Sequence, residues 1–186
     1  MTSIIPFYLH NKKNILEYNC FSNFYKLPDY EYELPEFVQN ENMPKKIKCN
    51  CSEKAIMACK ALLMNDDDTF YKIIMAKEPK LIKAYGRTVK NFDNDKWLQY
   101  VEAIAYDIVY QKFKKNEYIQ KILLSTEDAI LVEASPYDKL WGVGLSINND
   151  DIYDNEKWNG ANILGYALMK VRAQLRKELI INDDNN

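Results

Sequence analysis

The sequence predicts a mainly α fold: a compact, multihelical single domain over residues 1–186 with a small β element. Three observations lead there. From residue 52 to 125, stretches with helical apolar spacing and helix-start residues follow one another with short breaks. A long amphipathic stretch closes the chain. Strand-like runs are few and short. A 186-residue chain that is 47% hydrophobic and 28% charged has enough apolar surface for one core.

Residues 1–50 form the irregular part. "IIPFYL" reads as a short strand and "FSNFYKLP" as a turn into extended chain. "DYEYELPEFVQNENMP" is polar, aromatic and proline-punctuated, so it reads as loop or short edge strands. "KKIKCN" reads as one more brief strand. The core, residues 51–180, begins with Ser52 as N-cap of "EKAIMACKALLM". "DDDTFYKIIMAK" places its acids at the positive end of the helix dipole. "PKLIKAYG" has Pro79 near its start and Gly86 at the expected C′ position. In "NDKWLQYVEAIAYDIVYQKFKKN" the apolar residues Trp97, Val101, Ile104, Ala105 and Ile108 share one helical face. "EYIQKILLS" continues as a short helix. "AILVEAS" is the clearest strand, with "VGLSI" expected to pair with it. "NNDDIYDNEKWNG" is a polar loop. "ANILGYALMKVRAQLRKELI" is the closing helix, followed by a frayed tail at 181–186.

The net charge of −2 removes any global basic field for nucleic acid or an anionic membrane. It leaves room for an enzyme that takes one modified nucleotide into a pocket. No apolar run approaches the roughly 20 residues of a membrane span, and the N-terminus lacks the features of a secretory signal. Cys20, Cys49, Cys51 and Cys59 suit reduced core thiols in an intracellular protein. The spacing of "CNC" is wrong for zinc and the one histidine, His10, is remote in sequence, so neither a metal nor a cofactor is expected. A single histidine also argues against Ser/His or Cys/His catalysis.

Two groups of residues stand out. Gly142 and Gly144, two of five glycines, follow Trp141 and the carboxylates Glu133 and Asp138. They serve either a structural turn or a concavity lined by backbone N–H groups. Glu53 and Lys60 are seven positions apart, roughly 20° short of two helical turns, so they share a face about 10 Å apart along it. That is too far for an ion pair and suits a sugar ring between carboxylate and amine. Two solvated charges are the plainer alternative.

The ordered pieces "FSNFY", "CSEKAIMACKALL", "YGRTVKNFD" with Trp97, "KF" at 112–113, "LLSTEDAILVEASPYDKLWGVGL" and "WNGANILGYALMKVRAQL" resemble the NADAR family, also called YbiA-like. The resemblance runs from residue 21 to about 176, and six motifs in order are far more specific than any one. Residues 28–50 are longer than a minimal member needs. The resemblance implies a mostly helical fold that binds ribose-phosphate or ADP-ribose-like ligands. It also implies an N-glycosidase, acting on a riboflavin-pathway aminouracil ribosyl phosphate or on ADP-ribosylated guanine in nucleic acid.

By motif match the resemblance makes Glu53, Lys60 and Asp138 candidate catalytic residues. Asn23, Arg87, Trp97, Glu133, Trp141, Gly142, Gly144 and Asn162 become candidate substrate-binding residues. Glu53 or Asp138 would handle the proton on the departing nitrogen. Lys60 would attack C1 if neutral, or hold phosphate if charged. Arg87 suits phosphate, or caps the preceding helix. Trp141 or Trp97 would stack on the base, with core packing the alternative for Trp97. Asn23 and Asn162 would hold ribose hydroxyls, or satisfy turn backbone. The expectation is that residues 53, 60 and 138 point into a common cleft. No membrane contact or obligate protein partner is expected. Lys112, Lys114 and Lys115 offer a local basic patch or a solvated helix end. A non-catalytic ADP-ribose- or NAD-binding module is the alternative function.

Overall fold

A computed structural model describes residues 3–8, 16–39 and 41–184. They contain six α-helices and two two-stranded sheets, a mainly α fold with a small β element. His10 lies outside the described residues. No helix among the described residues is long and apolar enough to cross a membrane, and no cluster of three His, Cys, Asp or Glu side chains there is arranged to hold a metal. Two compact units divide the chain, Asn23–Lys112 and Phe113–Asn186 with Met1–Ser22.

In the Asn23–Lys112 unit, β2 (Tyr30–Glu33) and β3 (Lys46–Cys49) pair antiparallel. Alternation sets their faces: Tyr30, Tyr32, Ile47 and Cys49 are buried, while Glu31, Glu33, Lys46 and Lys48 face solvent. The helices are α1 (Ser52–Leu63), α2 (Asp67–Met75), α3 (Pro79–Gly86) and nearly all of α4 (Asn94–Lys114). Small residues Ala55, Ala58, Cys59 and Ala61 let neighbours approach α1 closely, and it is buried around most of its circumference. The Cys59 thiol, pushed up to about 12 by burial, lies 3.7 Å from the Tyr32 hydroxyl, which donates to Asp107 at 2.6 Å. The expected apolar stripe of α4, Trp97 to Ile108, is buried throughout.

Three expectations need correction in this unit. Cys51, in extended conformation, occupies the N-cap of α1, so Ser52 is its first helical residue. The Ser52 hydroxyl is buried with no hydrogen-bond partner among the described residues. Gly86 is the last residue of α3 and not a left-handed C′ residue, since Gly144 is the one glycine of positive φ among the described residues. Its lack of a side chain has another cause: a Cβ there would collide with the Met57 side chain of α1. Lys112 is 1% exposed, which removes it from any basic surface patch.

In the other unit, β1 (Ile4–Phe7) pairs parallel with β4 (Ile130–Glu133), so the strand expected from "AILVEAS" forms. The expected partner "VGLSI" is not a strand. Val143 N–H donates to the Glu133 carbonyl at 3.0 Å and the chain then turns away at Gly144. The helices are α5 (Glu117–Ser125) and α6 (Ile163–Asp184), the latter running past Ile180 into the expected tail. Arg172, largely buried on α6, donates to Thr126 Oγ1 at 2.7 Å. The polar loop contains two short 3-10 turns, Asp150–Tyr153 and Asn155–Lys157, each capped by a side chain, Asn149 and Asp154.

Candidate functional site

The site residues of the Asn23–Lys112 unit gather around α1. Glu53, in its first turn, is buried, and its backbone N–H donates to the Asn23 carbonyl at 2.9 Å. Asn23 is 6% exposed, yet its side-chain amide has no hydrogen-bond partner among the described residues. Its remaining surface leaves that amide open to water or a ligand. Two turns along, Lys60 is half-buried, and its Nζ donates to the Gly86 carbonyl at 2.9 Å. The same nitrogen lies 4.3 Å from the centre of the Phe92 ring. No carboxylate of the described residues is at ion-pair distance from it. Burial lowers the Lys60 pKa; the charge of Glu53 opposes the shift without cancelling it. The pair is thus close enough to interact and too far to neutralise itself, as the seven-residue spacing predicts.

Arg87 directly follows Gly86. Its backbone caps α3, but its exposed guanidinium makes no hydrogen bond or ion pair among the described residues. The capping alternative for its side chain therefore does not apply. Trp97 is 5% exposed on α4, the core position that was its alternative role.

In the other unit the site residues form a knot of backbone around β4. Asp138 Oδ1 accepts N–H bonds from Leu140 (3.1 Å) and Trp141 (2.9 Å), and the Ser135 hydroxyl accepts from the Asp138 N–H. The carboxylate shapes the turn and keeps its second oxygen uncommitted among the described residues. Trp141 is half-buried, with no partner for its indole N–H among the described residues. Glu133, half-buried, receives Ser135 N–H and Val143 N–H on its carbonyl. A Cβ on Gly142 would meet the Glu133 and Asp138 carbonyls, and one on Gly144, at φ 72°, would crowd the Asn159 carbonyl. Protein backbone fills the space beside Gly142, so close packing explains this glycine. Asn162 is fully buried, and both ends of its side-chain amide bond to β4: Nδ2 to the Leu131 carbonyl and Oδ1 to the Glu133 N–H, each at 3.0 Å. It takes the backbone-satisfying role offered as its alternative.

Sequence reasoning missed the two groups that hold Lys60. Phe92 stood within the quoted piece "YGRTVKNFD", but nothing in one sequence says that an exposed-looking aromatic lies over a lysine 32 positions away. The carbonyl of Gly86 is backbone and leaves no residue-type signal.

The NADAR domain model matches residues 7–176, across both units. The chain is 35% identical over 158 residues to Protein irg-1 of Caenorhabditis elegans, covering 83% of this chain and 74% of that protein. It is 39% identical over 127 residues to N-glycosidase R617 of Acanthamoeba polyphaga mimivirus, covering 66% and 72% respectively. The NMR structure of the Escherichia coli protein YbiA shares the fold at a TM-score of 0.68 and 23% identity, covering 97% of this chain and 90% of that one. The chain belongs to the NADAR family.

Proposed function

We propose that this NADAR protein is an N-glycosidase that hydrolyses the C1–N bond of a ribosyl phosphate or an ADP-ribosyl conjugate. The class is supported by the family and by relatives named as N-glycosidases. The candidate substrates are an aminouracil ribosyl phosphate and ADP-ribosylated guanine in nucleic acid; two relatives named as riboflavin biosynthesis proteins favour including the former. We place the protein inside the cell, where its four buried thiols stay reduced.

One observation carries the reading: a half-buried lysine with a lowered pKa, held by a carbonyl rather than a carboxylate, on the same helix face as a buried glutamate. In the proposed reaction the Lys60 amine, in its neutral form, attacks C1. The C1–N bond to the base breaks as a C1–N bond to lysine forms, and Glu53 carries the proton shed by the attacking amine to the departing nitrogen. Opening of the ribose ring gives the Schiff base. Water then adds at C1, releasing free sugar and returning the amine. Arg87 holds phosphate through its planar fork, and the unsatisfied Asn23 amide takes a hydroxyl. Asp138 and Trp141 are proposed to serve the same reaction, as second carboxylate and stacking group, and Glu133 to bind substrate.

The test is incubation with both substrate types, watching for free ribose phosphate or ADP-ribose. Release from either, abolished by Glu53→Gln and by Lys60→Ala, supports the proposal. Calorimetric binding of ADP-ribose with no release from any conjugate identifies a non-catalytic reader instead.

A further inference from the structure

We infer that Asn162 is a positioning residue that fixes Glu133 and Trp141 together, and not a ligand of the ribose. The inference rests on the N-glycosidase reading for its consequence, but on geometry for its content.

The open edge of β4 carries it. Groups along a strand alternate between its two edges. On one edge, Ile130 N–H donates to the carbonyl of Ser3, just before β1, and Ala134 N–H to that of Phe7, the last residue of β1. The other edge presents the Leu131 carbonyl and the Glu133 N–H, and no third strand of the described residues pairs there. The Asn162 amide donates to the first and accepts from the second. In a parallel sheet the N–H and C=O of one residue of a neighbouring strand make that same pair of bonds to residues i and i+2. A single side chain thus replaces a strand at the position of Glu133.

The backbone of Asn162 completes the bridge. Its N–H donates to the Gly142 carbonyl at 3.1 Å, and Leu164 N–H donates to the Trp141 carbonyl at 3.1 Å. One residue therefore ties the strand bearing Glu133 to the loop bearing Trp141. The arrangement demands φ of 50° at a fully buried non-glycine residue, a conformation that asparagine tolerates better than most. It also demands a bare neighbour: a Cβ on Gly165 would strike the Leu131 carbonyl and both polar atoms of the Asn162 amide. Both polar atoms of that amide are engaged inside the protein and the side chain is fully buried, which keeps its remaining N–H and lone pair away from a sugar hydroxyl.

Asn162→Gly suits the positive φ and removes the side-chain bonds without adding backbone strain. In the full-length variant, amide exchange at Glu133 should speed up about tenfold or more. On whichever conjugate the wild type cleaves, kcat should fall about tenfold with KM within about twofold, the signature of lost positioning. Unchanged exchange at Glu133, or a raised KM at unchanged kcat, overturns the inference, the latter by showing direct substrate contact. Should Asn162→Gly fail to fold, Asn162→Asp decides by the split between kcat and KM alone, since it keeps the acceptor for Glu133 N–H, whose exchange then stays slow, and loses the donor to Leu131. Absence of sugar release from wild type would sink the N-glycosidase reading, while the exchange rate still decides the clamp.

Discussion

The two groups of site residues are built on opposite plans. Around α1 side chains dominate, and several are left with unfilled capacity: the Asn23 amide, the Arg87 guanidinium, and a Lys60 ammonium resting on one carbonyl and one aromatic face. Around β4 the backbone dominates. Asp138, Asn162, Gly142 and Gly165 serve mainly to let main-chain segments lie against one another. The contrast teaches that candidate residues drawn from one set of family motifs need not share a job. In the proposed reaction some would meet substrate, and others would hold those that do.

Variants can break or sharpen that contrast. The largest effect belongs to α1. Lys60→Ala should lower kcat/KM about 10³-fold, or about 4 kcal/mol in transition-state stabilisation. Glu53→Gln should cost about 10²–10⁴-fold in kcat. Thermal unfolding should separate these losses from misfolding. The lowered Lys60 pKa adds a sign: the neutral amine is the reactive form, so turnover should rise with pH on approach to that value from below. A rate independent of pH in that window would argue against attack by the amine.

Next comes Arg87→Ala, which should raise KM about 10–100-fold for a phosphorylated substrate with little change in stability, the range of a charge-assisted hydrogen bond. On the β4 side the order of readouts reverses. Gly142→Ala forces a methyl against the Glu133 and Asp138 carbonyls and should cost about 1–3 kcal/mol of stability, measured by denaturant unfolding, before any effect on activity.

How much of this was legible in the sequence follows from the same physics. Helix positions were readable because apolar periodicity and caps are local: α5 and the buried stripe of α4 match expectation, and Glu53 and Lys60 share a face because the spacing requires it. The parallel pairing of β1 with β4 was not readable, since strands 126 positions apart in register (Ile4 with Ile130) carry no mark of their partner. A glycine at a helix end suggests a cap, its commonest use there, whereas close approach to Met57 of another helix is what Gly86 serves. Asn162 had two roles available, and only coordinates show its amide engaged at both ends.

Smaller effects bear on scaffold rather than site. The Asp66 carboxylate caps α2 through Thr69 N–H and accepts Lys90 N–H at 2.8 Å. Burial pulls its pKa up, but these N–H bonds outweigh burial and leave it below the usual carboxylate range. A depressed carboxylate stabilises the fold above its unfolded pKa, and the contribution fades as pH falls through the folded value. Asp66→Ala should therefore cost about 1 kcal/mol at neutral pH, and less once the pH has fallen through the lowered folded value. Lys46→Ala, which breaks exposed pairs with Glu31 and Glu33, should change stability by less than about 1 kcal/mol.

The most direct measurement is sugar release by wild type, Glu53→Gln and Lys60→Ala, side by side, from an aminouracil ribosyl phosphate and from ADP-ribosylated guanine nucleic acid. The account predicts release by wild type from at least one of the two, and near-complete loss in both folded variants. Variants that cleave as fast as wild type would remove the chemistry from this helix face and contradict it.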